Sequence, residues 1–197
     1  MKRAKVKLIF SALGLMVFVW SCNNSRPDDH APIKDSNVNA VKQSPADTGA
    51  NQELTGIYND YVGRYKKPCI VDSVFSFGAD TFRLHLRHYC LMDSAIKVPK
   101  KYVQIYKLDS FVTHNFATEI KLDRNNHTVF HGMVYKKDFD KYLYPQLKEY
   151  GALFCPEVNL SKDTIELDYS ISIPLTDVGV GVAMILNRDG SVVYKAQ

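Results

Sequence analysis

The stretch from Thr164 to Ile173 constrains this chain more than any other. Ile165, Leu167, Tyr169, Ile171 and Ile173 alternate without a break with Thr164, Glu166, Asp168, Ser170 and Ser172. Successive side chains of a strand point to opposite faces, so these residues form one apolar face for a core and one polar face for water. Such a strand persists only inside a sheet with one face covered. The chain then runs through Gly181 to Leu186, an Asn187-Arg188-Asp189-Gly190 turn and Ser191 to Lys195, a hairpin because Asp-Gly readily supplies positive φ. Gly179-Val180-Gly181 reads as a bulge or bend before that hairpin; no helix follows it, which excludes a dinucleotide loop.

A second alternating region lies between Cys69 and Cys90. With Gly78 to Thr81 as its loop, Phe77 faces Phe82, Phe75 faces Leu84, Ser73 faces Leu86 and Val71 faces His88, all on one apolar face. The same register sets Cys69 opposite Cys90. Thr81, Arg83, His85 and Arg87 occupy the wet face, so His85 and His88 point in opposite directions and do not chelate together.

Lys101 to Leu108 and Phe111 to Leu122 are rich in β-branched and aromatic residues and read as strands, with a turn at Asp123 to Asn126 and a partner strand from His127 to Lys136. Leu54, Ile57, Tyr58, Tyr61, Val62 and Tyr65 recur with helical spacing, and Pro68 closes that helix. Asp138 to Tyr150 is the other helical stretch, kinked or split by Pro145 and ended at Gly151. The expected fold is α+β: a mostly antiparallel β-sheet, as sandwich or half-barrel, with an N-terminal helix and one kinked helix near 138–150.

Upstream the chain is of a different kind. Lys2, Arg3, Lys5 and Lys7 precede an apolar run from Leu8 to Trp20, shorter than the roughly 20 residues of a membrane span, and the run stops at Cys22. Residues 1–21 read as an export signal, with Cys22 as the lipidated N-terminus. Residues 22–52 hold Pro27, Pro32 and Pro45 among polar residues and read as a flexible tether, leaving 53–197 as the single domain. Removing the signal takes four basic and no acidic residues, so 25 Lys and Arg become 21 against 21 Asp and Glu. A formally neutral mature chain gives no electrostatic reason to expect nucleic acid as partner.

Acylation of Cys22 leaves Cys69, Cys90 and Cys155 in a compartment that favours disulfides. Strand register selects Cys69 with Cys90; Cys155 with either, or reduced core thiols, are the alternatives. His127 and His131 share a strand face in a regular strand, and His114 joins them if its strand pairs with theirs, which makes His114, His127 and His131 the one candidate metal set. Glu166 and Asp168 share a face as an acid and base pair would, and Asp138 and Asp140 sit where acidic residues complement a helix dipole. The tyrosines, Tyr102, Tyr106, Tyr135, Tyr142, Tyr144 and Tyr150 among them, suit either core edges or a platform for sugars or peptides. No G-x-S-x-G, H-E-x-x-H, C-x-x-C or Walker sequence is present.

The leader, with Ser21 before Cys22, resembles bacterial lipoprotein signals cut just before the lipidated cysteine. With the Asn-rich start and β-rich domain it is similar to small Bacteroidota-type lipoproteins that carry domains of unknown function. The resemblance implies palmitate at Cys22, a membrane attachment through that lipid, and a place in the cell envelope at the outer membrane, facing periplasm or surface. The expected function is a non-catalytic module that binds an envelope protein, peptide or glycan through one sheet face, without a cofactor. The alternative is an envelope hydrolase or metal-binding protein using the histidine-bearing strands.

Overall fold

The computed structural model describes residues 45–161 and 163–197. The export signal expected at 1–21, the lipidation expected at Cys22 and most of the expected tether lie outside the described residues. Helix α1 (Pro45–Gly63) starts inside the segment read as tether, nine residues before Leu54. Eleven strands follow among the described residues, and they form an α+β fold of antiparallel sheets without a closed barrel.

The first sheet has four strands in the order β1 (Cys69–Phe77), β2 (Asp80–Cys90), β5 (Phe116–Arg124) and β6 (His127–Tyr135). The β1–β2 loop is shorter than the sequence suggests: Phe77 pairs with Asp80, Phe75 with Phe82, and Cys69 with His88. Gly78 takes φ of 64° at the first central position of this two-residue turn, the position where a type II′ hairpin needs glycine. The tighter turn displaces the pairing by two residues, which preserves every face and changes every partner. Phe75 stacks on Phe82 at 5.8 Å as a result. Cys90 now overhangs the end of β1.

The second sheet is built on β9 (Thr164–Ser172), the strand its alternation foretold. One edge pairs along its length with β10 (Gly179–Asn187), which pairs onward with β11 (Val192–Ala196). Gly179 and Gly181 belong to the regular β9–β10 ladder, opposite Ser172 and Ser170, instead of forming a bulge. A side chain at Gly179 would collide with Ser172, so the ladder itself requires a small residue there. The other edge of β9 pairs in two pieces, β7 (Ala152–Leu153) and β8 (Glu157–Leu160). Between them Pro156 has no N–H to donate, and the interruption leaves Cys155 to turn toward the first sheet.

Leu84, Leu86, Ile120 and Leu122 from the first sheet join Ile165, Leu167, Tyr169, Met184 and Leu186 from the second in one core. A third, two-stranded unit, β3 (Ile96–Pro99) with β4 (Ser110–Thr113), carries an insertion between its strands. There Lys100–Val103 is a helical turn, α2, continued by a 3-10 turn at Gln104–Tyr106, where the sequence suggested a strand. Alternation would bury Val103 together with Ile105, whereas Val103 is fully buried and Ile105 is 62% exposed. The segment Asp138 to Tyr150 splits as Pro145 demands, into a 3-10 stretch at Lys136–Tyr142 and α3 (Pro145–Tyr150). The Asp138 carboxylate accepts the Tyr135 N–H at 2.7 Å, a structural role at a helix start.

Helix α1 is fastened by its C-terminal half. The Tyr61 ring meets Phe111 and Phe154, and the Tyr61 and Tyr65 hydroxyls share Thr113 at 3.0 and 2.7 Å. Burial raises both phenol pKa values, so both hydroxyls stay neutral and hydrogen-bonded.

Candidate functional site

The three histidines of the candidate metal set are held apart. β4 pairs with β3 and not with β5 or β6, so His114 stays beside α1, its Nδ1 accepting the Ser94 N–H at 2.8 Å and its ring against Tyr65. His127 sits at the far end of β5, about 26 Å of strand away at roughly 3.3 Å per residue. A bulge near Leu122 and Asp123 also breaks the expected parity of β6. Thr128 then shares the outer face with His131 and bonds Asp123, while His127 pairs with Arg124 on the other parity. His131 faces Glu119 at 3.2 Å. Among the described residues, no three His, Cys, Asp or Glu side chains converge as metal ligands.

The proposed Cys69–Cys90 bond is replaced by Cys69–Cys155, with Cα atoms 6.4 Å apart, and Cys90 is free. The two-residue turn is the reason: it puts His88, not Cys90, opposite Cys69. Cys90 Sγ instead accepts the Met92 N–H at 3.4 Å, and burial pushes its thiol pKa up, which disfavours the reactive thiolate. Glu166 and Asp168 do share a face, but Glu166 is paired with Lys195 at 2.7 Å and Asp168 accepts hydrogen bonds from Asn159 and Gln197. Neither carboxylate is left to act as a free acid or base.

The site that the tertiary structure does assemble is a groove of about 890 Å³ between α1, the α2 insertion and the β9–β10 connection. α1 contributes Ile57 and Asp60, and the turn after it Arg64; the insertion contributes Lys101, Tyr102 and Ile105; the connection contributes Leu175 to Val178. Ile57, Ile105 and Val178 are 43%, 62% and 39% exposed, an apolar surface in three pieces around one concavity. The wall at Leu175 is rigid. Its backbone is held at φ 66°, left-handed for a leucine, by a tight turn in which Ile173 N–H donates to the Val178 carbonyl and Thr176 N–H and hydroxyl both donate to the Ile173 carbonyl.

The charges of the groove have no ion-pair partner among the described residues. Asp60 and Asp177 bring negative charge, Arg64 and Lys101 positive. The two cations lie on aromatic rings, Arg64 over Phe154 at 5.1 Å and Lys101 over Tyr102 at 4.8 Å, so they are positioned without being neutralised. This arrangement offers shape, apolar surface and both signs of charge. Arg64, Ile105 and Asp177 carry no signal in the sequence, because three separate elements must meet to make them neighbours. No protein-family model matches the chain, and no curated protein sequence matches it.

Proposed function

We propose that this chain is a lipid-anchored envelope protein whose domain is a non-catalytic module binding an extended peptide segment of a partner in the groove beside α1. The observation that carries the reading is the set of unanswered charges of both signs around exposed Ile57, Ile105 and Val178. A peptide supplies apolar side chains for the isoleucines together with positive and negative groups for Asp60, Asp177, Arg64 and Lys101. A neutral glycan supplies neither. The groove thereby replaces the sheet face as the binding surface, since carboxylates of the outer sheet face are already paired, Asp72 with His85, Glu119 with His131 and Asp123 with Lys121. The envelope address rests on the leader and Cys22; several acyl chains there give stable anchorage where one gives only marginal binding. The histidines give the hydrolase or metal alternative no support, since they stand at separate places.

Two measurements test this. Labelled palmitate enters the wild-type chain in a lipoprotein-processing cell and fails to enter Cys22→Ala; equal labelling of both defeats the anchor. Peptides selected from a random display library on the full chain compete with one another and bind Ile105→Glu at least tenfold more weakly, about 1.4 kcal/mol. The thermal midpoint stays unchanged, because Ile105 is exposed. Enriched peptides that ignore Ile105→Glu, or a binding profile restricted to glycans, overturn the reading.

A further inference from the structure

Beneath the C-terminal end of α1 lies a second, more enclosed cavity of about 180 Å³, lined by Arg64, Lys67, His88, Phe116, Leu153, Phe154 and the Cys69–Cys155 disulfide. Its volume is slightly above the roughly 150 Å³ that encloses one benzene ring. Arg64 and Lys67 are exposed at its mouth, and neither has an ion-pair partner among the described residues. The floor is different. His88 is only 5% exposed, its ring stacked on Phe116, and its Nδ1 is bonded to the Thr118 hydroxyl at 2.9 Å. That leaves Nε2 as the ring nitrogen without a protein partner in a side chain that lines the cavity. Nε2 is not one of the sealed, partnerless polar atoms of the described residues, so it stays open to whatever occupies the space beside it.

We propose that this cavity binds a small organic monocarboxylate, its carboxylate held among Arg64, Lys67 and Nε2 of His88 and its apolar body packed on Phe116, Leu153 and Phe154. In the tautomer in which Thr118 donates to Nδ1, the neutral imidazole carries its proton on Nε2 and donates it to the carboxylate. The imidazole is neutral when the site is empty: burial, and secondarily the Arg64 guanidinium, lower the His88 pKa to about 4. The other groups around the ring are Lys67, the disulfide and Thr118, with the buried Tyr169 hydroxyl beyond Thr118. None of them is an anion. The ligand therefore supplies the negative charge that the lining of this cavity lacks, and the site goes beyond the peptide groove, with which it shares only Arg64 and Phe154.

Such a carboxylate is either a free acid or the C-terminus of a peptide, and the experiment separates them. The full chain is titrated calorimetrically with 3-phenylpropionate and with a tripeptide ending in a free C-terminal Phe, each against its amide. Binding of either acid with a dissociation constant below about 1 mM, at least tenfold tighter than its amide, supports the site, and the acid that binds names the source. Lys67→Gln and Arg64→Gln, both at exposed positions, weaken that acid about tenfold, whereas Lys66→Gln, outside the cavity, leaves it unchanged. On saturation the His88 ring titrates at a higher pH by NMR, because the bound anion favours the imidazolium. Binding of acid and amide alike, indifference to Lys67→Gln, or no binding below about 1 mM overturns the proposal. Ile105→Glu separates the two sites: it impairs the groove and leaves the carboxylate affinity intact.

Discussion

The two faces of the four-stranded sheet use the same residue types to opposite effect. On the outer face, charged groups are paired: Asp72 with His85 at 2.6 Å and Glu119 with His131 across strands, Lys121 with Asp123 along β5, with the Thr128 hydroxyl donating to Asp123. On the inner face, at the end nearest α1, His88 is buried against Thr118 and the disulfide ties β1 to the segment between β7 and β8, and close by two tyrosine hydroxyls meet at Thr113 of β4. The carboxylates Asp72, Glu119 and Asp123 of the outer face are satisfied in water. The inner end holds fewer polar groups, each with few partners or none, and it is there that the loss of a partner costs most. Burial, more than the number of bonds, sets what each group is worth.

The largest expected effect comes from breaking the inner end covalently. Cys155→Ser opens a link between residues 86 apart in sequence and lowers the unfolding free energy by about 4 kcal/mol in denaturant titrations, with Cys90→Ser within about 1 kcal/mol of wild type. Equal losses from the two would abolish the asymmetry between disulfide and free thiol. Next comes acid. The His88 pKa lies near 4 in the folded chain and near 6.5 when unfolded. Between those values the unfolded chain holds a proton that the folded chain does not, so stability falls as pH drops from about 6.5 to 4, by about 3 kcal/mol at about 1.4 kcal/mol per unit. His88→Gln flattens that part of the stability profile; an unchanged slope would place its origin elsewhere.

Thr113→Val is expected to cost about 2 kcal/mol, since it leaves the buried Tyr61 hydroxyl and the half-buried Tyr65 hydroxyl without their shared partner. Chemical denaturation of this variant sharpens the estimate of how firmly α1 is docked. Smallest of all, Asp72→Asn and Glu119→Gln on the outer face shift stability by less than about 1 kcal/mol. A loss of several kcal/mol from either would erase the contrast between the two faces.

How much of this could be read in advance differs from element to element. β9 and the final hairpin were legible because alternation and an Asp-Gly turn are local signals. The parity of β1 and β2 was equally legible, but their pairing was not: a two-residue and a four-residue loop bury the same side chains, so the pattern of burial does not distinguish them. The Lys101 to Leu108 error has a similar origin, since aromatic and β-branched content describes a half-buried surface without specifying strand or helical turn. His88 did leave a trace, as a histidine on an apolar strand face. Arg64 and Lys67 left none, being two cations among several near a helix end.

By itself the sequence determined an α+β domain of antiparallel strands and the faces those strands present. These follow from periodicity and composition, which act over a few residues. Tertiary structure alone decided that Cys69 bonds Cys155, that His114, His127 and His131 stay apart, and that α1, the α2 insertion and the β9–β10 connection enclose a charged apolar groove. Each of those depends on a register or a packing contact between distant segments, and a one- or two-residue change in a single turn redirects it without altering any local pattern.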